Sequence, residues 1–408
     1  MKNVKTIFAL ILLLTVSTIF SQNKVTVMTY NLLNYHNPSS TRNSYFKKIM
    51  QTANPDLLVV QEMKYSSGVN NFLNNALDTT YAAAQYISGY DTNNELYYRK
   101  SIFTFISNVP IHTALRDINQ FKIVNKLTLD TLLIYSAHLK ASPGSTNEQK
   151  RLAEVNHLRA VTDALPANTA YILCGDFNLY KSTEPAYQAL VSQTNSGYFI
   201  DPSRAGNWHN NSSYKDIHTQ ATRVNQVGGD GSWGGLDDRF DFILFSEEIN
   251  QSQSSGINYV MNSYHSFGND GNHFNQSINS GTNTVVSQDV ADALYYASDH
   301  LPVIAQFDFG PAVSVSDNNI ISKFELSQNY PNPFNPSTTI SYSIPKEQFV
   351  TLKIYNSIGQ HISTLINENK PAGRYKINFD AEKYSSGIYF YRLTAGNYSS
   401  TRKMILLQ

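Results

Sequence analysis

The sequence predicts two domains of different class, an α/β domain followed by a small all-β domain. The chain has 408 residues, a length that suits two or three domains of ordinary size. Strand and helix signals alternate through about the first three hundred residues, which is typical of an α/β fold. The last eighty or so residues instead contain short runs of alternating apolar and polar residues, which predict a β-sandwich.

The α/β prediction depends on short apolar runs separated by helical patterns. The predicted strands cover residues 25–30, 57–60, 132–137, 171–174, 240–245 and 303–309. Helical patterns occur near residues 45–52 and 148–165, and Thr183-Glu184-Pro185 is a typical helix start. Residues 205–237 and 263–288 are rich in Gly, Asn and Ser, and long loops of this kind are lids, binding loops or disordered segments.

The N-terminus has the pattern of a secretory signal peptide over residues 1–21. Lys2 and Lys5 precede a short apolar run, and Ser17 and Ser21 are small residues suited to cleavage. An uncleaved membrane anchor is the alternative, although the run is shorter than the roughly 20 residues that a span needs. No later segment is apolar enough to span a membrane, so we expect an exported protein without a stable membrane span.

Charge and cysteine content exclude two classes of protein. The net charge is zero, which excludes a strongly basic protein that coats nucleic acid. Residues 23–309 carry a net charge of −6, whereas residues 326–408 carry +5. Cys174 is the only cysteine, which excludes a domain held together by internal disulfides. Its apolar neighbours predict a buried strand residue rather than a nucleophile.

Polar residues interrupt or follow the apolar strands at six places in the first domain. These positions are Asn31, Gln61-Glu62, His138, Gly175-Asp176-Phe177-Asn178, Asp241 and Ser298-Asp299-His300. Because neighbouring strands end together, we expect these side chains to gather at one edge of a sheet. Buried carboxylates need a cation or paired histidines, and an oxygen-rich set of ligands suits Mg²⁺ or Mn²⁺ better than zinc.

These motifs resemble those of the endonuclease/exonuclease/phosphatase superfamily, which includes pancreatic-type deoxyribonucleases, bacterial sphingomyelinases and inositol phosphatases. They occur in the family's order across about residues 25–309. The resemblance implies a four-layer α/β/β/α sandwich with its site at one edge of two packed sheets. It also implies a hydrolase that uses Mg²⁺ or Mn²⁺.

The resemblance implies a role for each motif residue. Glu62 is then the principal metal ligand, assisted by Asn31 and Asp299. Asp176 orients or deprotonates the attacking water, and Asn178 holds the phosphate or the nucleophile. His300, paired with Asp241, and His138 then contact phosphate oxygens or transfer protons.

Three residues have open roles. Deoxyribonucleases place a carboxylate behind the first histidine, and Glu95 is a candidate for that position, with a surface salt bridge as the alternative. Arg99 and Lys140 are candidates for phosphate contacts, with solvated surface positions as the alternative.

The C-terminal region resembles the type A sorting domain of type IX secretion. The resemblance rests on Tyr330-Pro331-Asn332-Pro333-Phe334, Leu352-Lys353-Ile354-Tyr355-Asn356, Gly387-Ile388-Tyr389 and residues 403–407. It implies that the type IX machinery exports the protein across the outer membrane, to the medium or the cell surface. An adhesive or carbohydrate-binding sandwich is the alternative. The implied boundaries are a catalytic domain at 23–309, a linker at 310–325 and a sorting domain at 326–408.

The sequence therefore predicts a secreted, divalent-metal-dependent phosphodiesterase, with a nuclease for extracellular DNA or RNA as the first hypothesis. A phosphatase or a sphingomyelinase-like phospholipid phosphodiesterase is the alternative within the superfamily. A non-catalytic surface binding or adhesion protein is the alternative outside it. The long polar loops, with Trp208, Trp233 and His218, are candidates to shape the cleft, although structural packing is the default expectation for both tryptophans.

Overall fold

The computed structural model describes residues 23–36, 41–250, 256–310, 324–329, 331–371 and 373–407. The chain divides into two compact units, residues 1–312 and 313–408. The predicted signal peptide, most of the predicted linker and Tyr330 lie outside the described residues.

The first unit alternates strands and helices, as expected. Its strands are β1 (Asn23–Tyr35), β2 (Leu57–Met63), β3 (Tyr81–Ala83), β4 (Asn93–Arg99), β5 (Phe103–Ile111), β6 (Ile118–Asn125), β7 (Thr131–His138), β8 (Tyr171–Asp176), β9 (Asp241–Phe245), β10 (Asn258–Tyr259), β11 (His265–Ser266) and β12 (Val303–Phe309). Its helices are α1 (Asn43–Ala53), α2 (Tyr65–Asn75), α3 (Ser145–Thr162), α4 (Pro185–Val191), α5 (Glu247–Asn250) and α6 (Gln288–Ala297), with a 3₁₀ helix at Ser212–Ile217.

Two sheets form the centre of this unit. The first has the order β10-β12-β1-β2-β4-β3, with β11 also paired to β12, and the second has the order β5-β6-β7-β8-β9. The pairs β1–β2 and β7–β8 are parallel, and the other pairs are antiparallel. Because parallel partners end at the same edge, β1 and β2 bring their carboxyl ends together, and so do β7 and β8.

Three apolar clusters define the four predicted layers, and the α/β/β/α sandwich is confirmed. Val27 of β1 packs with Ile134 of β7 between the two sheets. Tyr30, on the opposite face of β1, packs against α1, α2 and α6, while Tyr135 of β7 packs against α3 and α4. Both sheets are therefore buried on both faces, which explains their continuous apolar runs.

Gly175 permits the close approach of β7 and β8 beside the predicted site. Its φ is +141°, and a Cβ atom there would lie 1.9 Å from the carbonyl oxygen of Ala137. Only glycine fits this position without moving the backbone. Cys174, the preceding residue, is buried in the cluster between the sheets as predicted, and burial raises the pKa of its thiol.

The second unit is all-β, as predicted. Its strands are β13 (Glu325–Leu326), β14 (Ser337–Ile344), β15 (Gln348–Asn356), β16 (His361–Lys370), β17 (Gly373–Asp380), β18 (Gly387–Ala395) and β19 (Tyr398–Leu406). A three-stranded sheet, β13-β14-β17, and a four-stranded sheet, β16-β15-β18-β19, enclose one apolar core. Tyr391 is fully buried in that core, in agreement with the expected alternation. Among the described helices of the chain, none is both long and apolar enough to span a membrane.

Candidate active site at one edge of the two sheets

The six strand-end motifs meet at one edge of the sandwich, as the sequence predicts. Glu62 lies at the end of β2, next to Asn31 of the parallel strand β1. His138 and Asp176 end β7 and β8 and pair directly in the ladder. Strands β9 and β12 run antiparallel to these neighbours, so the start of β9 at Asp241 and the residues just before β12 reach the same edge.

Asp176 is at the centre of the cluster. One oxygen, Oδ2, lies 3.6 Å from Nε2 of His138 and 3.6 Å from Nε2 of His300. The other, Oδ1, accepts a hydrogen bond from the backbone N–H of Asn178 at 3.0 Å. The Asn178 side chain in turn donates to the carbonyl of Leu139, 3.2 Å away. The carboxylate is therefore fixed between two imidazoles.

Glu62 and Asn31 form the neighbouring part of the site. The Asn31 side-chain amide donates to Glu62 Oε1 and to Asp176 Oδ2, both at 3.1 Å. Its oxygen accepts the N–H of Leu33 at 2.9 Å, so Asn31 faces the carboxylates as a donor. Its role as a metal ligand stays a prediction. Glu62 has a φ of +60°, and this strained conformation at a bulge directs its carboxylate into the site.

The two histidines have opposite electrostatic environments. His300 Nδ1 lies 2.7 Å from Asp241 Oδ2. Burial lowers the pKa of His300, but the charges of Asp241 and Asp176 outweigh burial and hold it well above its usual value. Burial and the charge of Arg116 lower the pKa of His138 well below its usual value. One imidazole is therefore cationic at neutral pH and the other is neutral.

The positive charge near the site is too small to keep all of its carboxylates ionised. Burial, followed by the charge of Asp299, raises the pKa of Glu62. Burial also raises the pKa of Asp176 to about 7. Asp299 accepts the N–H of Ser232 through Oδ2 at 2.6 Å, but its buried Oδ1 has no hydrogen-bond partner. These acids need a further cation for full ionisation.

The donor set fits a hard divalent ion. The described residues contain no group of three or more His, Cys, Asp or Glu side chains arranged to hold a metal. Mg²⁺, however, is commonly bound by one or two carboxylates, with water and substrate oxygens completing its shell. Glu62 and Asp299 supply such a pair, and the unpartnered oxygen of Asp299 is available for a ligand bond.

Gln220, which the sequence did not single out, and Ser298, which belongs to the motif before β12, complete the site. The side-chain amide of Gln220 lies 2.5 Å from His300 Nε2 and 3.4 Å from Asp299 Oδ2. Ser298 donates to the carbonyl of Asn31 at 2.6 Å, which joins the segment before β12 to β1. Ser298 belongs to the motif Ser298-Asp299-His300, so its presence at the site follows from the sequence. Gln220 lies in an irregular loop without a periodic pattern, so no sequence signal points to it.

Comparison with known proteins agrees with this arrangement. Residues 28–300 match the Endonuclease/Exonuclease/phosphatase family profile. The chain belongs to this family. Residues 328–407 match the profile of the secretion system C-terminal sorting domain, so the second unit is a type IX sorting domain, which supports export to the cell surface or the medium. Members of the first family are generally phosphoester hydrolases.

Solved structures with the same fold are distant in sequence. An endonuclease/exonuclease/phosphatase family protein of Bacteroides thetaiotaomicron is 16% identical, with 71% of this chain and 99% of that chain covered and a TM-score of 0.46. A mannosyl-6-phosphatase of the same organism is 17% identical, with 70% and 100% covered and a TM-score of 0.46. D. rerio TDP2 complexed with single strand DNA product is 16% identical, with 70% and 99% covered and a TM-score of 0.47. No curated protein matches the chain in sequence.

Glu95 does not stand behind His138 in this family member. It shares the helix-covered face of β4 with Tyr97, and its Oε1 accepts the N–H of Leu96 at 3.0 Å. Its neighbour Asn94 is the residue that points toward β7, where it donates to the carbonyl of Ser136. His138 Nδ1 has no partner among the described residues. Both alternatives for Glu95 are therefore wrong, because the register places its buried side chain on the other face.

Arg99 and Lys140 do not contact the site through their charged groups. Arg99 ends β4 at the edge opposite to Glu62 and bonds Asp78 and Asn54, so the predicted phosphate contact is wrong. Lys140 Nζ donates to the carbonyl of Ala141 at 2.8 Å.

The two tryptophans differ in environment. Trp208 is fully buried and donates to the carbonyl of Leu179, so structural packing is correct for this residue. His218 is also buried, and its Nε2 lies 2.8 Å from the carbonyl oxygen of Trp208. Its side chain therefore does not line the cleft. Trp233 is 59% exposed and follows Ser232, the residue bonded to Asp299, so it lies beside the site.

We predict that Glu95 makes the stability of the protein fall as the pH rises. Burial raises its pKa from 4.5 to about 8, so unfolding between these pH values releases a proton, and a higher pH favours unfolding. By pH 8 this effect amounts to about 3–5 kcal/mol, which Glu95→Gln removes. Urea unfolding measured from pH 5 to 8.5 checks the difference in slope.

Glu148→Gln, at a half-buried position in the first turn of α3, is the control and should keep the wild-type slope. Parallel curves for the wild type and Glu95→Gln would contradict a buried, proton-binding Glu95.

Proposed function

We propose that the first domain is a secreted, divalent-metal-dependent phosphodiesterase that hydrolyses extracellular DNA or RNA. The observation that carries this proposal is the position of Asp176 between a cationic histidine, His300, and a neutral one, His138, beside the carboxylate pair of Glu62 and Asp299. Phosphodiester hydrolysis needs a group that activates water, cationic contacts for the phosphate and a group that assists the leaving oxygen.

Each residue of the site has a role in this proposal. A divalent ion held by Glu62 and Asp299, with Asn31, would neutralise the phosphate and stabilise charge that develops on its oxygens. Asp176 orients the attacking water and accepts its proton, because a carboxyl whose pKa is about 7 is well matched to proton transfer at neutral pH.

The remaining groups bind and position the phosphate. His300, held by Asp241, presents a cationic Nε2–H to a phosphate oxygen. His138 is neutral, and its Nε2, beside Asp176, can exchange a proton with the reacting group. Asn178 lies beside Asp176 and can hold the phosphate or the water.

Exposed aromatic side chains around the site favour a nucleic-acid substrate. We call Tyr65, Tyr90 and Trp233 the rim aromatics, and they are 67%, 90% and 59% exposed. Tyr65 begins α2, three residues after Glu62, and Tyr90 precedes β4 at the end where β4 pairs with Met63. Exposed rings beside a phosphate site can stack on unpaired bases.

The site chemistry is tested with a substrate panel and a neutral variant. The purified protein is incubated with plasmid DNA, RNA, sphingomyelin and phosphomonoesters, with and without EDTA. We expect metal-dependent cleavage of nucleic acid, and a loss of about 10²–10⁴-fold in kcat for Asp176→Asn, because the proton acceptor is removed. Circular dichroism should show an unchanged fold.

Asp78→Asn is the matched control, since Asp78 bonds Arg99 at the opposite edge of the sheet. Cleavage that persists in EDTA would contradict the metal requirement. Preferred turnover of phosphomonoesters or sphingomyelin would favour the alternative substrates, and a folded protein without any hydrolysis would favour a binding or adhesion protein.

The rim aromatics give a second prediction. Trp233→Ala should weaken the binding of single-stranded oligonucleotides about 10-fold, because one stacked base contributes about 1–3 kcal/mol. Turnover of a dialkyl phosphate without an aromatic group should stay within about twofold of the wild type. Fluorescence anisotropy and steady-state kinetics provide the measurements.

Leu127→Ala is the control for this variant, because Leu127 is exposed in the turn between β6 and β7, at the end opposite His138. Unchanged oligonucleotide binding by Trp233→Ala would remove the support that this residue gives to a nuclease.

The sorting domain predicts the route of export. In a host with type IX secretion, deletion of the residues after Glu325 should leave the protein in the periplasm, because the sorting domain is the part recognised at the outer membrane. Immunoblots of periplasm, cell surface and medium measure the distribution. Normal appearance of the truncated protein in the medium would contradict this route.

A further inference from the structure

A second pocket adjoins the candidate active site on the side of β1 and the loop before β9. Its volume is about 400 Å³. We call it the Arg223 pocket, and the residues used below are Asn34, Arg42, Arg223, Val227, Asp230 and Tyr296. A larger cavity of about 620 Å³ is lined by Lys122 and Leu165 and contains none of the predicted site residues.

Arg223 is a buried cation with free donors. The residue is only 1% exposed, and its Nε and Nη2 have no hydrogen-bond partner. A buried guanidinium normally has its N–H groups satisfied by carbonyls, carboxylates or a ligand. A pocket that contains unsatisfied N–H donors on a cation is suited to an anion, because such donors bind phosphate oxygens in a bidentate manner.

The other charged groups of the pocket are already engaged. Arg42 donates to the carbonyls of Leu32, Leu33 and Ala297, at 2.7–2.9 Å. Asp230 accepts from the Asn34 side chain at 3.0 Å and from the N–H of Gly231 at 2.9 Å. Arg42 therefore has three of its N–H groups bonded to backbone carbonyls, and both oxygens of Asp230 accept hydrogen bonds. Arg223 is the cation of the pocket whose donors remain open to a ligand.

The pocket borders the active site at Asn34 and beside Gly231. Asn34 lines the pocket through its side chain, while its backbone N–H donates to Glu62 Oε2 at 2.8 Å. A Cβ atom on Gly231 would lie 2.7 Å from Arg223 Nη2 and 3.0 Å from Asp299 Cγ, so both groups border the same point. One substrate can therefore reach the carboxylate pair and Arg223 together.

We propose that the Arg223 pocket binds a second phosphate of the substrate, next to the phosphate that is hydrolysed. This inference rests on the proposed phosphoesterase function and specifies its substrate class, a compound with two phosphate groups. The second phosphate can be a neighbouring phosphate of an oligonucleotide or a second phosphomonoester on a small molecule. The stacked rings of Tyr45 and Tyr296, 5.2 Å apart, provide an apolar wall for the organic part between the phosphates.

Two matched pairs of compounds test this proposal. One pair is a dinucleotide with and without a 5′-phosphate, and the other is adenosine 3′,5′-bisphosphate and adenosine 5′-monophosphate. We expect the added phosphate to lower KM at least tenfold in one pair, and that pair identifies the source of the second phosphate. Arg223→Gln should abolish the preference and leave kcat for the compound without the added phosphate within twofold.

A binding measurement separates this inference from the proposed function. Calorimetry in EDTA should show at least tenfold tighter binding of the doubly phosphorylated compound in the preferred pair, and loss of this difference in Arg223→Gln. If the wild type hydrolyses no phosphoester, the proposed function fails, while the calorimetric difference still decides whether the pocket exists. Equal affinities within both pairs would overturn the pocket.

A second variant guards against misfolding of Arg223→Gln. Val227 is a half-buried residue of the pocket wall, and Val227→Glu places a negative charge beside Arg223. It should remove the preference for the second phosphate, whereas the charge-matched control Leu127→Glu should keep it. Retention of the preference in Val227→Glu would overturn the proposal. An equal loss for both members of each pair in Arg223→Gln would also overturn it, because Arg223 would then act only by pairing with Asp299.

Discussion

The burial of four carboxylates at one sheet edge is the constraint on which the rest of the site depends. Glu62, Asp176, Asp241 and Asp299 are brought together because parallel and antiparallel partners place their strand ends at the same level. Burial, and then repulsion between the clustered acids, raises the pKa of Glu62 and of Asp176. The site therefore needs positive charge, which His300 supplies in part and which a divalent ion would complete.

The same charges explain why two similar histidines differ. His300 directly contacts Asp241 and faces Asp176, so its cationic form is stabilised. His138 lies no farther from Asp176, but it has the charge of Arg116 nearby and no carboxylate on Nδ1. The missing partner is the position at which deoxyribonucleases place an acid. In this chain Asn94 points toward that region, and Glu95 is turned to the opposite face of β4.

The sequence alone was sufficient to predict that the residues at the ends of regular strands lie close together. Asp176 and His138 end strands that are largely apolar, so their meeting at one edge follows from strand geometry alone. Helix α2 was not predicted, because Ser66, Ser67 and Gly68 are poor helix formers and packing of Phe72 stabilises the helix instead. Gln220, Arg223 and the exposure of Trp233 could not be predicted either, since they depend on tertiary contacts of an irregular loop. Glu95 was misplaced because a shift of one residue reverses the face of a strand.

The residues at the strand ends and the residues of the loop before β9 have different functions in the site. The strand ends, which the sequence motifs describe, carry the carboxylates and histidines that any phosphoester hydrolase of this family would use. The loop between α4 and β9 instead provides the contacts around them. Gln220 lies beside His300, and the N–H of Ser232 donates to Asp299. The same loop carries the unpartnered donors of Arg223 and the exposed ring of Trp233. These contacts surround the reacting position without taking part in the strand-end cluster. Members of the family are generally phosphoester hydrolases. We therefore infer that the strand ends carry the reaction common to the family and that the loop of residues 205–237 selects the substrate.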